Sequence, residues 1–470
     1  MKKIFLFLLS LAVFTACERK IDELAPTANG LDFSKFVSVG NSMTAGYADG
    51  ALYTSGQVNS IPNIMAGQFK LVGGGNFVQP LIGAENGVGV TQTPIGPYFT
   101  TKMVLKVMPN KNCDGTQTGE YSLKPALLDP AADQNTLKGQ LFAPPTNVGP
   151  FNNMGVPGAT LQSLFYNRLG DPTQDGHPFN PFFVRFASTP NATMIGDAAS
   201  QQPTFFYLWI GNNDVLTSAL AGTDLLATPV DTFAKYYNFA VGALLGSGKS
   251  PKGVLANIPD ITSIPFFNTI SKSLPYNGVV LTADQATGLN TLYTMYNHPE
   301  IVWHEGQNPF VITTTAGEWV QMQAGDQFLL TLPTDSLKCR GMGIADTTLG
   351  PIPKPYPIPG KFVLQKSEID NLTATVDAYN QVINAVAETN NLALVNMNSN
   401  LKYFASPMVF DGIELSLTFV SGGLFSTDGI HLCPRGNAVT ANYFIQAINT
   451  KYGSTIPQVN IGSYSGLIFP

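Results

Sequence analysis

The chain has 470 residues, 44% of them hydrophobic and 12% charged, and a formal net charge of −6. That is enough apolar material for a large core. The acidic balance, with no cluster of Lys or Arg, argues against a nucleic-acid partner. Gly (45) and Pro (34) are plentiful, so long irregular segments are expected.

At the N-terminus, Lys2 and Lys3 precede "IFLFLLSLAVF". This run is too short to span a bilayer and reads as the apolar region of an export signal. The following "TAC" resembles the bacterial lipoprotein signal, which implies that residues 1–16 are removed and that Cys17 is lipidated. Ordinary secretory cleavage near "FTA" is the alternative. Residues 17–32 then read as the lipidated cysteine and a polar tether. The expected location is the bacterial cell envelope, at the outer membrane, with the lipid as the membrane contact. Cys113, Cys339 and Cys433 remain. An exported protein can oxidise a pair. Spacing does not reveal which two join; Cys113–Cys339 is preferred because Cys433 lies beside the candidate catalytic histidine.

In chain order, the first buried strand is "FVSVG" (36–40). Residues 60–150 come next, rich in Gly, Pro, Asn and Gln and without a clear helix. "FFYLWIG" (205–211) is a second strand, "TFAKYYNFAVGALLGSG" (232–248) a helix and "GVLANIP" (253–259) a third strand. Residues 265–362 break the rhythm again, with "FLLTLP" as a strand inside them. Residues 367–391 are a long helix with Ser367 as its cap, "LALVNM" (392–397) is a fourth strand, and 436–453 is the last helix. Continuously apolar strands alternating with helices mean an open α/β sheet covered on both faces. The two irregular segments read as insertions that wall the crevice, and 456–470 as a tail.

The chemistry gathers in four blocks: Gly40-Asn41-Ser42 after a strand, "NNMGVPGAT" (152–160), "WIGNND" (209–214) after another strand, and "STDGIHLCPRGNA" (426–438) before the last helix. A serine hydroxyl attacks only when a base takes its proton. Of the four histidines, His177 and His298 precede Pro in loops and His304 sits within an insertion. His431 alone has an aspartate three residues earlier, and that spacing lets Asp428 accept a hydrogen bond from the imidazole. Strand ends of an α/β sheet converge on one crevice, which places Ser42 and Asn213 together. Oxyanion donors are available in the Asn213 amide and in the N–H groups of Gly158 and Ser42.

These blocks together resemble the SGNH subgroup of the GDSL esterase/lipase family. "VGNSMTAGY" looks like its nucleophile block, with Asn41 where the family more often has Asp. "NMGVPGAT", "WIGNND" and "DGIH" look like its glycine, Gly-x-Asn-Asp and Asp-x-x-His blocks. The resemblance implies a flavodoxin-like three-layer sandwich with a mostly parallel sheet over about 33–455, carrying two long insertions. It implies Ser42, Asp428 and His431 as the catalytic set, and Ser42, Gly158 and Asn213 as the oxyanion hole. The expected activity is ester hydrolysis through an acyl-serine, on a lipid, a medium-chain ester or an acetylated glycan. "PFNPFFVRF" and "IPFFNTI" tilt this towards lipid or medium-chain esters by offering apolar surface. Ser336, in "PTDSLKCRG", lacks the preceding Gly and reads as a loop residue. No residues have metal-ligand spacing, and "LVGGGN" lacks the rest of a phosphate loop, so no cofactor and no metal are expected. The alternative is a surface lipoprotein that binds glycans or lipids without catalysis.

Overall fold

The apolar runs meet in one parallel sheet. The computed structural model describes residues 25–470 apart from 94–95, 174–175, 274–277, 349 and 351. The signal segment and Cys17 therefore lie outside the described residues. The strands are β1 (Phe36–Gly40), β2 (Asn153–Gly155), β3 (Phe205–Trp209), β4 (Lys252–Ala256) and β5 (Ala393–Val395). All neighbours are parallel, in the order β2-β1-β3-β4-β5. This is the doubly wound 2-1-3-4-5 arrangement. β1 and β3 are buried along their whole length, which is why their sequences are apolar without alternation.

Helices sandwich the sheet. The helices that matter for the site are α1 (Ser42–Ala45), α2 (Ile61–Lys70), α3 (Asn213–Leu220), α4 (Val230–Leu245), α5 (Lys366–Thr389) and α6 (Pro434–Tyr452). α2 and α6 pack together on one face, where Phe444 of α6 meets Tyr207 and Trp209 of β3. α4 and α5 pair on the other, through Phe233 stacked on Tyr379 with ring centroids 3.9 Å apart. No helix among the described residues is long and apolar enough to cross a membrane.

Several elements differ from the sequence reading. β2 was hidden in the glycine block; it is three residues long and lies at the sheet edge. The cap of α5 is Gln365, not Ser367, with Glu368 completing the capping box. Helices do form at 60–70 and beyond 265: α2 buries Ile61, Ile64, Met65 and Phe69 at helical spacing, and Ala283–Met295 starts on a Thr282–Gln285 capping box. "FLLTLP" contributes only Phe328 to a strand, Gln327–Phe328, and Ser336 lies in the helix Thr334–Arg340 rather than in a loop. Ile456, Val459 and Ile461 are buried in the main core, beyond the 455 boundary.

The disulfide joins Cys113 to Cys339. It ties the hairpin of Met103–Lys111 and Gln117–Leu127 to the helix Thr334–Arg340. Cys433 is buried, its thiol pushed up to about 11 by burial.

Gly155 closes β2 where α1 crosses it. A Cβ there would sit 2.4 Å from the Ala45 nitrogen and 2.6 Å from the Thr44 carbonyl carbon. Backbone cannot yield as a side chain does. Gly155→Ala is therefore expected to destabilise the fold by about 2 kcal/mol, read as a fall in the urea midpoint; an unchanged midpoint would show that α1 has slack at this crossing.

Candidate active site

β1 delivers Ser42. The strand ends at Gly40, where a Cβ would strike the Thr44 hydroxyl and the Trp209 carbonyl. Asn41 then caps α1, its Oδ1 accepting the Met43 N–H at 3.1 Å. The cap is thus Asn41, and Ser42 is the first helical residue. Gly46 ends the helix with φ +76, so a single turn presents the serine at the C-terminal edge of the sheet.

The other partner comes from the far end of the chain. His431 Nε2 lies 2.9 Å from Ser42 Oγ, a contact between residues 389 positions apart. Its Nδ1 lies 2.8 Å from Asp428 Oδ2. With Nδ1 carrying the proton, Nε2 is left as an acceptor facing the serine hydroxyl. The remaining histidines lie elsewhere. His177 Nε2 lies 3.0 Å from the Asp171 carbonyl. His298 meets Glu300 and stacks on Trp319. The His304 backbone N–H donates to Asn308.

Asp428 is the most heavily bonded group of the site. Oδ2 also accepts the Gly50 N–H at 2.9 Å. Oδ1 accepts from Ser426 Oγ at 3.0 Å, from Ile430 N–H at 2.9 Å and from His431 N–H at 2.8 Å. Burial alone would raise its pKa; the adjacent His431 and these donors reverse that and hold the carboxyl well below the usual carboxylate range.

Asp49 was not anticipated. Its N–H donates to Ser426 Oγ at 3.0 Å. Its carboxylate accepts from Tyr53 OH at 2.6 Å and from the Thr427 N–H and hydroxyl at 2.9 and 2.7 Å. Asp49 and Gly50 both have positive φ, 54 and 72, and that turn aims their successive N–H groups at the Ser426–Asp428 loop. The only local signal was the Asp-Gly pair, a turn dipeptide.

The residues expected to hold an oxyanion are placed less tightly. Asn213 opens α3 and lines the cavity beside Ser42, and its Nδ2 donates to the Ala159 carbonyl at 2.9 Å. An amide has a second N–H, which remains for a ligand. Gly158 is exposed with φ +78 and is not among the residues lining that cavity. Asn180 was also missed: its Nδ2 holds the Pro157 carbonyl at 2.8 Å, and in a trans peptide the Gly158 N–H points the opposite way. Next to Asn213, Asp214 is buried and accepts from Leu161 N–H at 2.8 Å and Thr228 Oγ at 3.0 Å. It thereby ties α3 to the Gly158 turn.

The two long irregular segments do not wall this cavity; its lining falls within 41–43, 209–216, 259–264, 397–404 and 424–443. The later segment instead braces the aspartate loop from behind, Phe266 N–H donating to the Gly429 carbonyl at 3.0 Å. The earlier one lines a separate open groove with Phe99 and Phe142, next to Pro157. Nor do "PFNPFFVRF" and "IPFFNTI" present much apolar surface, since Phe182, Phe183, Phe186, Phe266 and Phe267 are buried. No group of His, Cys, Asp or Glu among the described residues is arranged to hold a metal.

No protein-family model matches the chain, and no curated protein does. Solved structures similar to it include a point variant of an acetyl xylan esterase from Geobacillus stearothermophilus, at 14% identity over 63% of this chain and 72% of that one, with a TM-score of 0.26. An alpha/beta hydrolase from the metagenome of Lake Arreo, Spain, matches at 13% identity over 64% of this chain and 72% of that one, again with a TM-score of 0.26. At these values the overlap is loose, and nothing about activity transfers from it.

Burial pushes Asp214 up to about 6, against the pull of the Leu161 N–H and the Thr228 hydroxyl. An ordinary aspartate titrates near 3.9, so between about pH 4 and 6 the folded chain holds a proton that the unfolded chain has released. This contribution to stability is complete below about pH 4 and is lost as pH rises through about 6. Asp214→Asn keeps an acceptor for Leu161 and removes the titration. Wild type is expected to lose roughly 3 kcal/mol relative to the variant across that window, measured by urea unfolding at pH 4 to 7; parallel curves would show that the proton is not held there.

Proposed function

We propose that the chain is a serine ester hydrolase of the SGNH/GDSL kind, anchored to the bacterial envelope through a lipid on Cys17. The observation that carries the chemistry is the contact of Ser42 Oγ with His431 Nε2 at 2.9 Å, backed by Asp428 at 2.8 Å. Ser42 attacks the ester carbonyl while His431 takes its proton. Asp428 keeps the ring in the required tautomer and stabilises the imidazolium. The oxyanion rests on the N–H groups of Ser42 and Gly158 and on the Asn213 amide. His431 then protonates the departing alcohol. Water, deprotonated by the same ring, releases the acid and restores the serine. The anchor rests on the sequence alone.

Ser42→Ala is expected to lower kcat on p-nitrophenyl acetate by at least about a thousandfold, and Asp428→Asn by at least about a hundredfold, with the fold retained. A fluorophosphonate probe is expected to label wild type at Ser42. A protein that stays dark and hydrolyses nothing would be the non-catalytic binder instead. For the anchor, metabolic labelling with a palmitate analogue is expected in wild type and not in Cys17→Ala; labelling of neither would leave a secreted, unlipidated protein.

A further inference from the structure

The cavity at Ser42 and His431 is narrow, with a volume of about 70 Å³. Its walls come from successive strand ends. Met43 follows β1, Leu216 follows β3, Ile264 follows β4, and Leu401 and Phe404 follow β5. The cavity thus runs across the C-terminal edge from β1 to β5. Three strand spacings are about 14 Å. An extended chain advances about 1.2 Å per bond, since the three backbone bonds of a residue span about 3.5 Å.

The lining is chemically one-sided. Asn41, Asn212 and Asn213 stand at the Ser42 end. Farther along, the polar side chains are Asn400, Thr440 and Tyr443, and the Thr440 hydroxyl is committed to the Gly436 carbonyl of its own helix at 2.9 Å. Among the described residues, no Lys, Arg, Asp or Glu lines the space. A sugar or an ionised headgroup would give up more water there than the Asn400 amide and the Tyr443 hydroxyl could replace. A hydrocarbon would gain about fourfold in binding per buried methylene. At the far end, Asn400 and Tyr443 also line an open groove outside β5, together with Glu388 and Gln446. They form the partition between the two spaces.

Taking the serine-hydrolase reading as given, we propose that this cavity is an acyl-chain pocket selecting neutral esters whose acyl group has about eight to twelve carbons, with the Asn400–Tyr443 partition setting the upper limit. In the first half-reaction the bond from Ser42 Oγ to the acyl carbon forms, the bond from that carbon to the alcohol oxygen breaks, and the serine proton passes through His431 to the alcohol. In the second, a bond from the water oxygen to the acyl carbon forms, the bond from that carbon to Ser42 Oγ breaks, and the proton lost by the water passes through His431 to Ser42 Oγ. The acyl chain stays attached at the cavity mouth through both, so burying it assists each step. The alcohol must leave between them, and burying it would slow its release.

The test uses p-nitrophenyl esters of acetate, butyrate, octanoate, decanoate and palmitate, with octyl acetate against ethyl acetate as the reversed arrangement. Octanoate is expected to exceed acetate in kcat/KM by at least about a hundredfold, palmitate to fall again, and octyl acetate to gain no more than about threefold over ethyl acetate. Leu401→Trp is expected to lower the ratio of octanoate to acetate kcat/KM at least about tenfold; Tyr443→Ala is expected to move the optimum to longer chains. Should Leu401→Trp fail to fold, Ile264→Phe carries the same expectation. Ser42-dependent turnover with a flat or acetate-favouring profile would overturn the pocket and leave the serine mechanism standing. So would a chain-length gain on the alcohol side. No turnover of any ester and no fluorophosphonate labelling would remove the mechanism itself.

Discussion

A carboxylate buried at the centre of the site is the constraint on which its geometry depends. An ionised carboxyl in the interior is costly unless donors surround it. Asp428 meets that demand with the ring of His431, three backbone N–H groups and the Ser426 hydroxyl. One of those N–H groups belongs to Gly50, on the segment that carries Ser42. The same charge therefore orients the imidazole and draws the chain that carries Ser42 against the loop that holds His431. Asp49 repeats the arrangement one residue earlier, gripping Thr427 from the same turn. The site is a junction between the first and last elements of the domain, and neither half has its geometry without the other.

The parallel sheet makes that junction possible. Every strand points the same way, so the segments leaving the strands emerge together on one edge. β1 contributes Ser42 there, β3 the Asn213 amide, and the loop before α6 contributes His431. β4 and β5 contribute no reactive group; the segments after them supply Ile264, Leu401 and Phe404. Chemistry and apolar surface are thus laid side by side along one edge, reactive groups towards β1 and hydrocarbon towards β5.

Much of this was legible in the sequence, for identifiable reasons. Burial on both faces leaves continuous apolar runs, and four of the five strands stood out for that reason. β2 did not, because three residues, one of them an asparagine bonded to Ser38, Thr44 and Gln79, carry no such pattern. α2 was obscured by Pro62 and Gly67, read as loop signals although Pro sits comfortably in a first helical turn. The serine, histidine and aspartate were visible because their chemistry restricts the choice of residue type. Asp49, Asn180 and Asp214 act through hydrogen bonds to backbone distant in sequence, which leaves no local spacing to read. The pocket was invisible for a related reason: its walls are ordinary aliphatic residues drawn from segments scattered along the chain.

The last helix also decides which way the site looks. α6 begins three residues after His431 and runs its 19 residues down the sheet, about 28 Å at 1.5 Å per residue. Its far end lies at the starts of β4 and β5, where the Tyr452 hydroxyl meets Gly253 and Ala393. There the upstream chain arrives, with Asn29 donating to the Tyr452 carbonyl and Thr27 to Thr455 exchanging backbone and hydroxyl bonds. The incoming polypeptide and the opening above Ser42 thus occupy opposite poles of the domain. Any surface gripping the chain ahead of Ala25 at short range would leave the opening turned towards the bulk phase, favouring dispersed molecules over those embedded in that same surface.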